Sequence, residues 1–186
     1  MKIVQAPQQV LAEIAKDIPN IDKAIKNLIA EMSETLQHAK DPEGVGLAAP
    51  QVGKSLQMFL VKESKKTPLR VFINPKITIP KEEKLPTPEE IESGEKKEVK
   101  LEGCLSLQDI WGVVYRYKRI VLTYQDETGE EFINKEFDGF LATIIQHEVD
   151  HLNGILFPRR VLEQDGELYK STINKKGEME FEQIAV

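Results

Sequence analysis

A chain of 186 residues, 40% hydrophobic and 30% charged, has the size and balance of one domain with one sizeable core. Its net charge of −6 argues against a general nucleic-acid binder, and no apolar run approaches membrane-spanning length. The single cysteine permits no intramolecular disulfide, and Met1 to Gln5 begins neither a secretory signal nor an Arg- and Ser-rich transit segment, so a monomer in the reducing cytoplasm is expected.

In chain order, the first periodic stretch runs from Ile21 to Leu36. Ile21, Ala24, Ile25, Leu28, Ile29, Met32 and Leu36 recur at helical spacing, with Lys23, Lys26, Glu31 and Glu34 opposite. Asp41-Pro42-Glu43-Gly44 is expected to end this helix. Gly44, Gly46, Ala48 and Ala49 follow, a run of small residues that lets another backbone approach closely. No Gly-Lys-Ser/Thr completes a phosphate loop there. Gln57 to Val61 and Leu69 to Ile73 read as short strands, with Lys76 to Ile79 a further one after Asn74-Pro75. In residues 81–98, eleven of 18 are charged and Pro86, Pro88 and Gly94 interrupt them, which predicts a solvated loop. Val113 to Tyr115, Ile120 to Gln125 and Glu131 to Phe137 read as strands, the last two joined by a turn at Asp126-Glu127-Thr128-Gly129.

The most informative stretch is the helix predicted over 138–153. Asp138 is placed to cap it, and Gly154 to stop it. His147 and His151, four residues apart, share one face of such a helix, where two imidazoles can hold a divalent metal. Glu148 falls beside that pair, where a general base for an attacking water belongs. The helix is mostly apolar and is expected to be buried, so its two histidines, Glu148 and Asp150 need partners. The longer zinc-protease motif fails, because Phe157 stands where its third histidine would be. The remaining donors are His38, the lone Cys104 beside Gly103, and downstream carboxylates such as Glu163 or Glu167. A lone cysteine is often a core residue, but a thiolate with two imidazoles would leave a fourth position open for water. Residues 158–186 read as a tail with a β-hairpin, Leu168 to Ile173 returning through Glu178 to Phe181.

Three separated segments resemble one family, the peptide deformylases: Gly44-Val45-Gly46-Leu47-Ala48-Ala49-Pro50-Gln51, Glu102-Gly103-Cys104-Leu105-Ser106, and Gln146-His147-Glu148 through His151. Their order and spacing are similar to the family's over most of residues 1–160. The resemblance implies a single catalytic domain over 1–186 and an α+β fold. Antiparallel strands would pack around the buried helix 138–153, with the N-terminal helix outside. It implies removal of the N-formyl group from the formyl-methionine of nascent polypeptides, with release of formate. Cys104, His147 and His151 would hold one divalent metal, Fe2+ natively, with Zn2+, Ni2+ or Co2+ also accepted. Hydroxide generated at the metal would be the nucleophile and Glu148 the general acid and base, with the Gln51 amide and Leu105 N–H beside the oxyanion. Gly44, Val45, Gly46, Gly103, Phe140 and Ile144 would line the substrate site. A transient ribosome contact is also implied, although many bacterial members end in a helix rather than a hairpin.

The chain departs from the family pattern at Gln108, where a proline is common, and at Trp111, where many bacterial members carry arginine; Arg116 keeps a basic residue found slightly later. Both departures bear on substrate preference more than on chemistry. Two rival readings stand beside the deformylase one. A metalloprotease would take Glu163 or Glu167 as third ligand, and a non-enzymatic relative would keep a structural metal and a peptide groove.

Overall fold

The computed structural model describes residues 1–39, 44–87, 101–174 and 178–184. Its elements are a helix α1 (Lys23–His38), strands β1 (Gly46–Ala48), β2 (Met58–Val61), β3 (Arg70–Thr78), β4 (Glu102–Cys104), β5 (Leu107–Gly112), β6 (Arg119–Gln125) and β7 (Glu131–Asp138), helices α2 (Gly139–Leu152) and α3 (Phe157–Glu163), and strands β8 (Leu168–Ile173) and β9 (Met179–Ile184). The strands form two antiparallel sheets, one of five in the order β1-β2-β3-β6-β7 and one of four in the order β4-β5-β8-β9. This is the expected α+β class. A single-turn 3-10 helix, Ala49–Val52, follows β1 and carries Gln51.

Strand β2 explains how the five-stranded sheet is covered. All four of its residues are buried, because each face meets a different helix. Phe59 and Val61 point to one side and join Ala48, Phe72, Ile120 and Leu122 against Ala142, Ile145 and Val149 of α2. Met58 and Leu60 point to the other and join Leu47, Val71 and Ile73 against Ile29, Met32 and Leu36 of α1. The two-residue period of a strand thus sorts one apolar run into two cores. Asp22 caps α1, its side chain accepting the Ile25 N–H at 3.0 Å.

The structure corrects several expectations. The two runs expected at Leu69 to Ile73 and Lys76 to Ile79 are one strand, β3 (Arg70–Thr78): Asn74 takes a left-handed conformation (φ 49°) at a bulge, and its side chain bonds the Ile18 N–H and carbonyl at 2.8 and 2.9 Å. Val113 to Tyr115 is not a strand. Its apolar, β-branched residues look like one, but the Gln164 amide satisfies the Tyr115 N–H and carbonyl, and the Gln146 amide those of Tyr117. The strand lies just upstream, in β5. Asp138 sits at the start of α2 without a side-chain capping bond; the Gly139 N–H is taken instead by the Lys118 carbonyl. The tail holds the hairpin, with β9 reaching Ile184, but α3 precedes it. Residues 40–43, 88–98 of the charged segment and 175–177 of the hairpin turn lie outside the described residues.

Candidate active site

Helix α2 turns its sequence into a site because its buried face carries polar residues. Gln146, Glu148, Asp150 and His151 are all buried among Ile144, Ile145, Val149 and Leu152. The expected spacing holds: His147 and His151 stand one turn apart, with ring centroids 4.9 Å from each other. Strand β4 brings Cys104 to them across 43 residues of sequence. The Cys104 Sγ lies 3.2 Å from His151 Nε2, and one donor atom from each of Cys104, His147 and His151 falls within 4.8 Å of the others. Glu163 is engaged by Arg159 and Arg160, and Glu167 by Tyr169, so neither proposed rival donor belongs to this cluster. His38 lies on α1 with its Nδ1 at the Glu34 carbonyl.

Partners unforeseen in the sequence hold His147. The His147 Nδ1 is hydrogen-bonded to the Glu102 carboxylate, which leaves Nε2 for a ligand. Arg116 bridges Glu102 at 2.7 Å and Asp150 at 2.6 Å, and Arg160 grips Asp150 from the other side at 2.7 Å. Burial raises the Glu102 carboxyl, but His147 and Arg116 outweigh it and hold it at about 2. Burial pulls His147 down, and the Glu102 carboxylate with Cys104 drives it well above its usual value. Burial and the charges of His147 and Arg116 push His151 well below its own. The sequence signal for this network was an arginine amid apolar and aromatic residues 113–117 and an aspartate on the apolar helix; neither named its partner.

Glu148 is buried beside β1. A Cβ placed on Gly46 would lie 2.2 Å from its Oε1, so only glycine leaves the carboxylate room. Burial and the neighbouring Glu102 charge raise Glu148 to about 7, against the lowering pull of His147, Arg116 and the Ala48 N–H. Its Oε2, like His151 Nδ1, has no hydrogen-bond partner among the described residues. A thiolate and two imidazoles are the donor set of a divalent transition metal, and a buried carboxylate oxygen with no partner beside them fits a water held there. The residues present therefore fit a divalent metal. Gln51 is buried: its Oε1 accepts the Ala48 N–H at 2.9 Å, and its Nε2 points to Ser106 Oγ at 3.3 Å and Cys104 Sγ at 3.5 Å. Leu105 follows Cys104, its carbonyl bonded by Gln5 at 2.9 Å.

A cleft of about 730 Å³ opens over these groups. Its lining includes Gly44, Val45, Gly46, Gln51, Gly103, Cys104, Leu105, Phe140, Ile144, His147 and Glu148. Ile144 is buried and Phe140 is half exposed at the start of α2, while His151 lies beneath the lining.

The polypeptide deformylase family matches residues 1–167. The chain belongs to that family. The peptide deformylase of Borreliella burgdorferi is 40% identical over 157 residues, covering 84% of this chain and 85% of its own. That of Desulfotalea psychrophila is 36% identical, covering 94% of this chain and 95% of its own. The crystal structure of peptide deformylase from Thermotoga maritima superposes with a TM-score of 0.70 at 36% identity, over 86% of this chain and 95% of that one. Deformylases remove the N-formyl group from nascent peptides, and this chain is a hydrolase of that kind. No described helix is long and apolar enough to cross a membrane.

Proposed function

We propose that Cys104, His147 and His151 hold one divalent metal, that Glu148 is the general acid and base, and that Gln51 and the Leu105 N–H stabilise the oxyanion as the formyl group leaves a formyl-methionine peptide. The observation that carries this reading is the buried Glu148 carboxylate, raised to about 7 beside the three-donor cluster. A general base works best when its pKa lies near the working pH. When bound, a divalent cation supplies Lewis acidity and makes water a nucleophile near neutral pH. Glu148 takes the proton of the attacking water and gives it to the leaving amine nitrogen. The formyl C–N bond breaks, formate departs, and the methionine amine is free. The Gln51 Nε2 already sits on the Cys104 side of the cleft, and such donors are each typically worth a few kcal/mol of barrier.

Strand β1 is an edge of its sheet and β4 an edge of the other, and both line the cleft. An extended peptide between them would find backbone partners on two sides. Val45, Phe140 and Ile144, apolar residues of the lining, are assigned to the methionine side chain, with Gly44, Gly46 and Gly103 against the peptide backbone. Ferrous iron is the proposed native metal, with zinc, nickel and cobalt as substitutes, a range that suits one thiolate and two imidazoles. A cytoplasmic monomer in transient contact with the ribosome completes the reading, since the ribosome is where formylated chains emerge.

The test is formate release from formyl-methionyl peptides by protein purified without oxygen, alongside Glu148→Ala. Parent activity with a loss of about a hundredfold or more in the variant is expected. Release that survives the substitution removes Glu148 from its assigned role.

A further inference from the structure

The chain has one tryptophan, and it stands in the wall of the cleft. Trp111 lies on β5, paired with Gly103 of β4 on one side and Tyr169 of β8 on the other. Its ring covers Gly103 so closely that a Cβ there would be 2.7 Å from the indole. The indole N–H donates to Ser171 Oγ of β8 at 3.0 Å. Phe181 of β9 meets the ring edge-on, centroids 6.0 Å apart at 88°. Ser171 and Phe181 are themselves register partners across the β8–β9 hairpin. The indole is thus held by a backbone seat, a hydrogen bond and an aromatic edge, while it borders the same cleft as Cys104 and Glu148.

The supports come from an unexpected part of the chain. The family match ends at residue 167, one residue before β8 begins. The hairpin that fixes Trp111 lies wholly beyond it.

We propose that Trp111 is a specificity-determining residue that favours a large apolar or aromatic side chain just after the formyl-methionine, and that Ser171 and Phe181 of the C-terminal hairpin are its positioning residues. A fixed indole loses little freedom when a side chain packs on it, and it offers that side chain area without charge. A small or acidic side chain at the same place gains nothing from it.

This inference rests on the deformylase reading, and two measurements separate their failures. Deformylation of formyl-Met-Phe and formyl-Met-Ser peptides is compared for the parent, Trp111→Leu, Ser171→Ala and Phe181→Ala. The parent should prefer phenylalanine. That preference in kcat/KM should fall about fivefold in Trp111→Leu, mainly through KM, and more modestly in the two hairpin variants. Equal losses on both peptides, or an unchanged ratio, overturn the proposal. Binding is read independently of turnover in Glu148→Gln, where any change in tryptophan emission comes from Trp111. Formyl-Met-Phe should change the emission at lower concentration than formyl-Met-Ser, and emission indifferent to both peptides also overturns the proposal. A parent that binds with the expected emission change but releases no formate leaves this inference standing and sinks the catalytic reading.

Discussion

Glu148 joins three features that a surface carboxylate lacks: full burial, an oxygen without a partner among the described residues, and a pKa of about 7. Together they tie a cost in stability to a benefit in chemistry. A carboxyl that holds its proton more tightly folded than unfolded stabilises the fold while protonated. That contribution is complete below about 4.5 and is lost as the pH rises through about 7. In metal-free protein this one group should remove on the order of 3 kcal/mol of stability across that window. Glu148→Gln cannot ionise, so its unfolding free energy in urea should gain steadily on the parent above pH 5 and level off above about 7.5. Parallel pH profiles for the two proteins would mean that burial does not set this group's charge. The position of Glu148 was legible in the sequence because a helix fixes where residue 148 falls between 147 and 151. The cradle was not: nothing in Gly44 to Gln51 says that Gly46 alone leaves room for a carboxylate more than a hundred residues away.

At the scale of elements, the segment between β5 and β6 is held by side chains rather than by a ladder, and Arg116 lies within it. Its guanidinium is buried with two carboxylates, Glu102 from β4 and Asp150 from α2. Arg116→Met would leave both acids without their shared cation. Breaking a buried ion pair by removing one member commonly costs about 3–5 kcal/mol. Glu102 would also lose the partner that orients it on His147, and loss of such outer support typically lowers metal affinity about 10–100-fold. The expected outcome is a less stable protein that binds metal more weakly, measured by denaturation and by competition with a chelator. Arg116→Lys should rescue little, because one ammonium cannot present a planar fork to two carboxylates. Full metal affinity in Arg116→Met would make the network purely structural. The same segment shows why strands were harder to read than helices. Helix α2 declared itself by period and by an unbroken run, whereas Val113 to Tyr115 had the composition of a strand but pairs with none among the described residues. Helix α3 was missed because Phe157 to Glu163 is short and has Pro158 in its first turn, where a helix accepts proline although its interior does not.

Across the whole molecule, the candidate metal donors join parts that the backbone connects only loosely. His147 and His151 belong to α2, which packs on the five-stranded sheet, while Cys104 belongs to β4, at the edge of the four-stranded one. The pairing of Cys104 with the histidines was inferred from donor chemistry and family resemblance, because nothing local to Leu101 to Ser106 points to α2. Cys104 also packs against Phe157, Val161 and Leu168, so its sulfur is a core atom as well as a donor. A cation bound across this junction would tie the two sheets together, and folding stability should follow metal concentration. At free metal a hundred times the dissociation constant, a ligand of the folded state adds about 2.7 kcal/mol. For a chain of this length that is a rise in Tm of roughly 5–10 °C. Adding ferrous or zinc ion to chelator-treated parent should produce that rise. In Cys104→Ala the rise should vanish, and the metal-free variant should also melt slightly below the metal-free parent, because a buried Sγ is lost from the α3 cluster. Those two effects are separable, since one depends on metal and the other does not. If Cys104→Ala keeps the full metal-dependent rise, the thiolate is only a core residue and the ion is held by α2 alone.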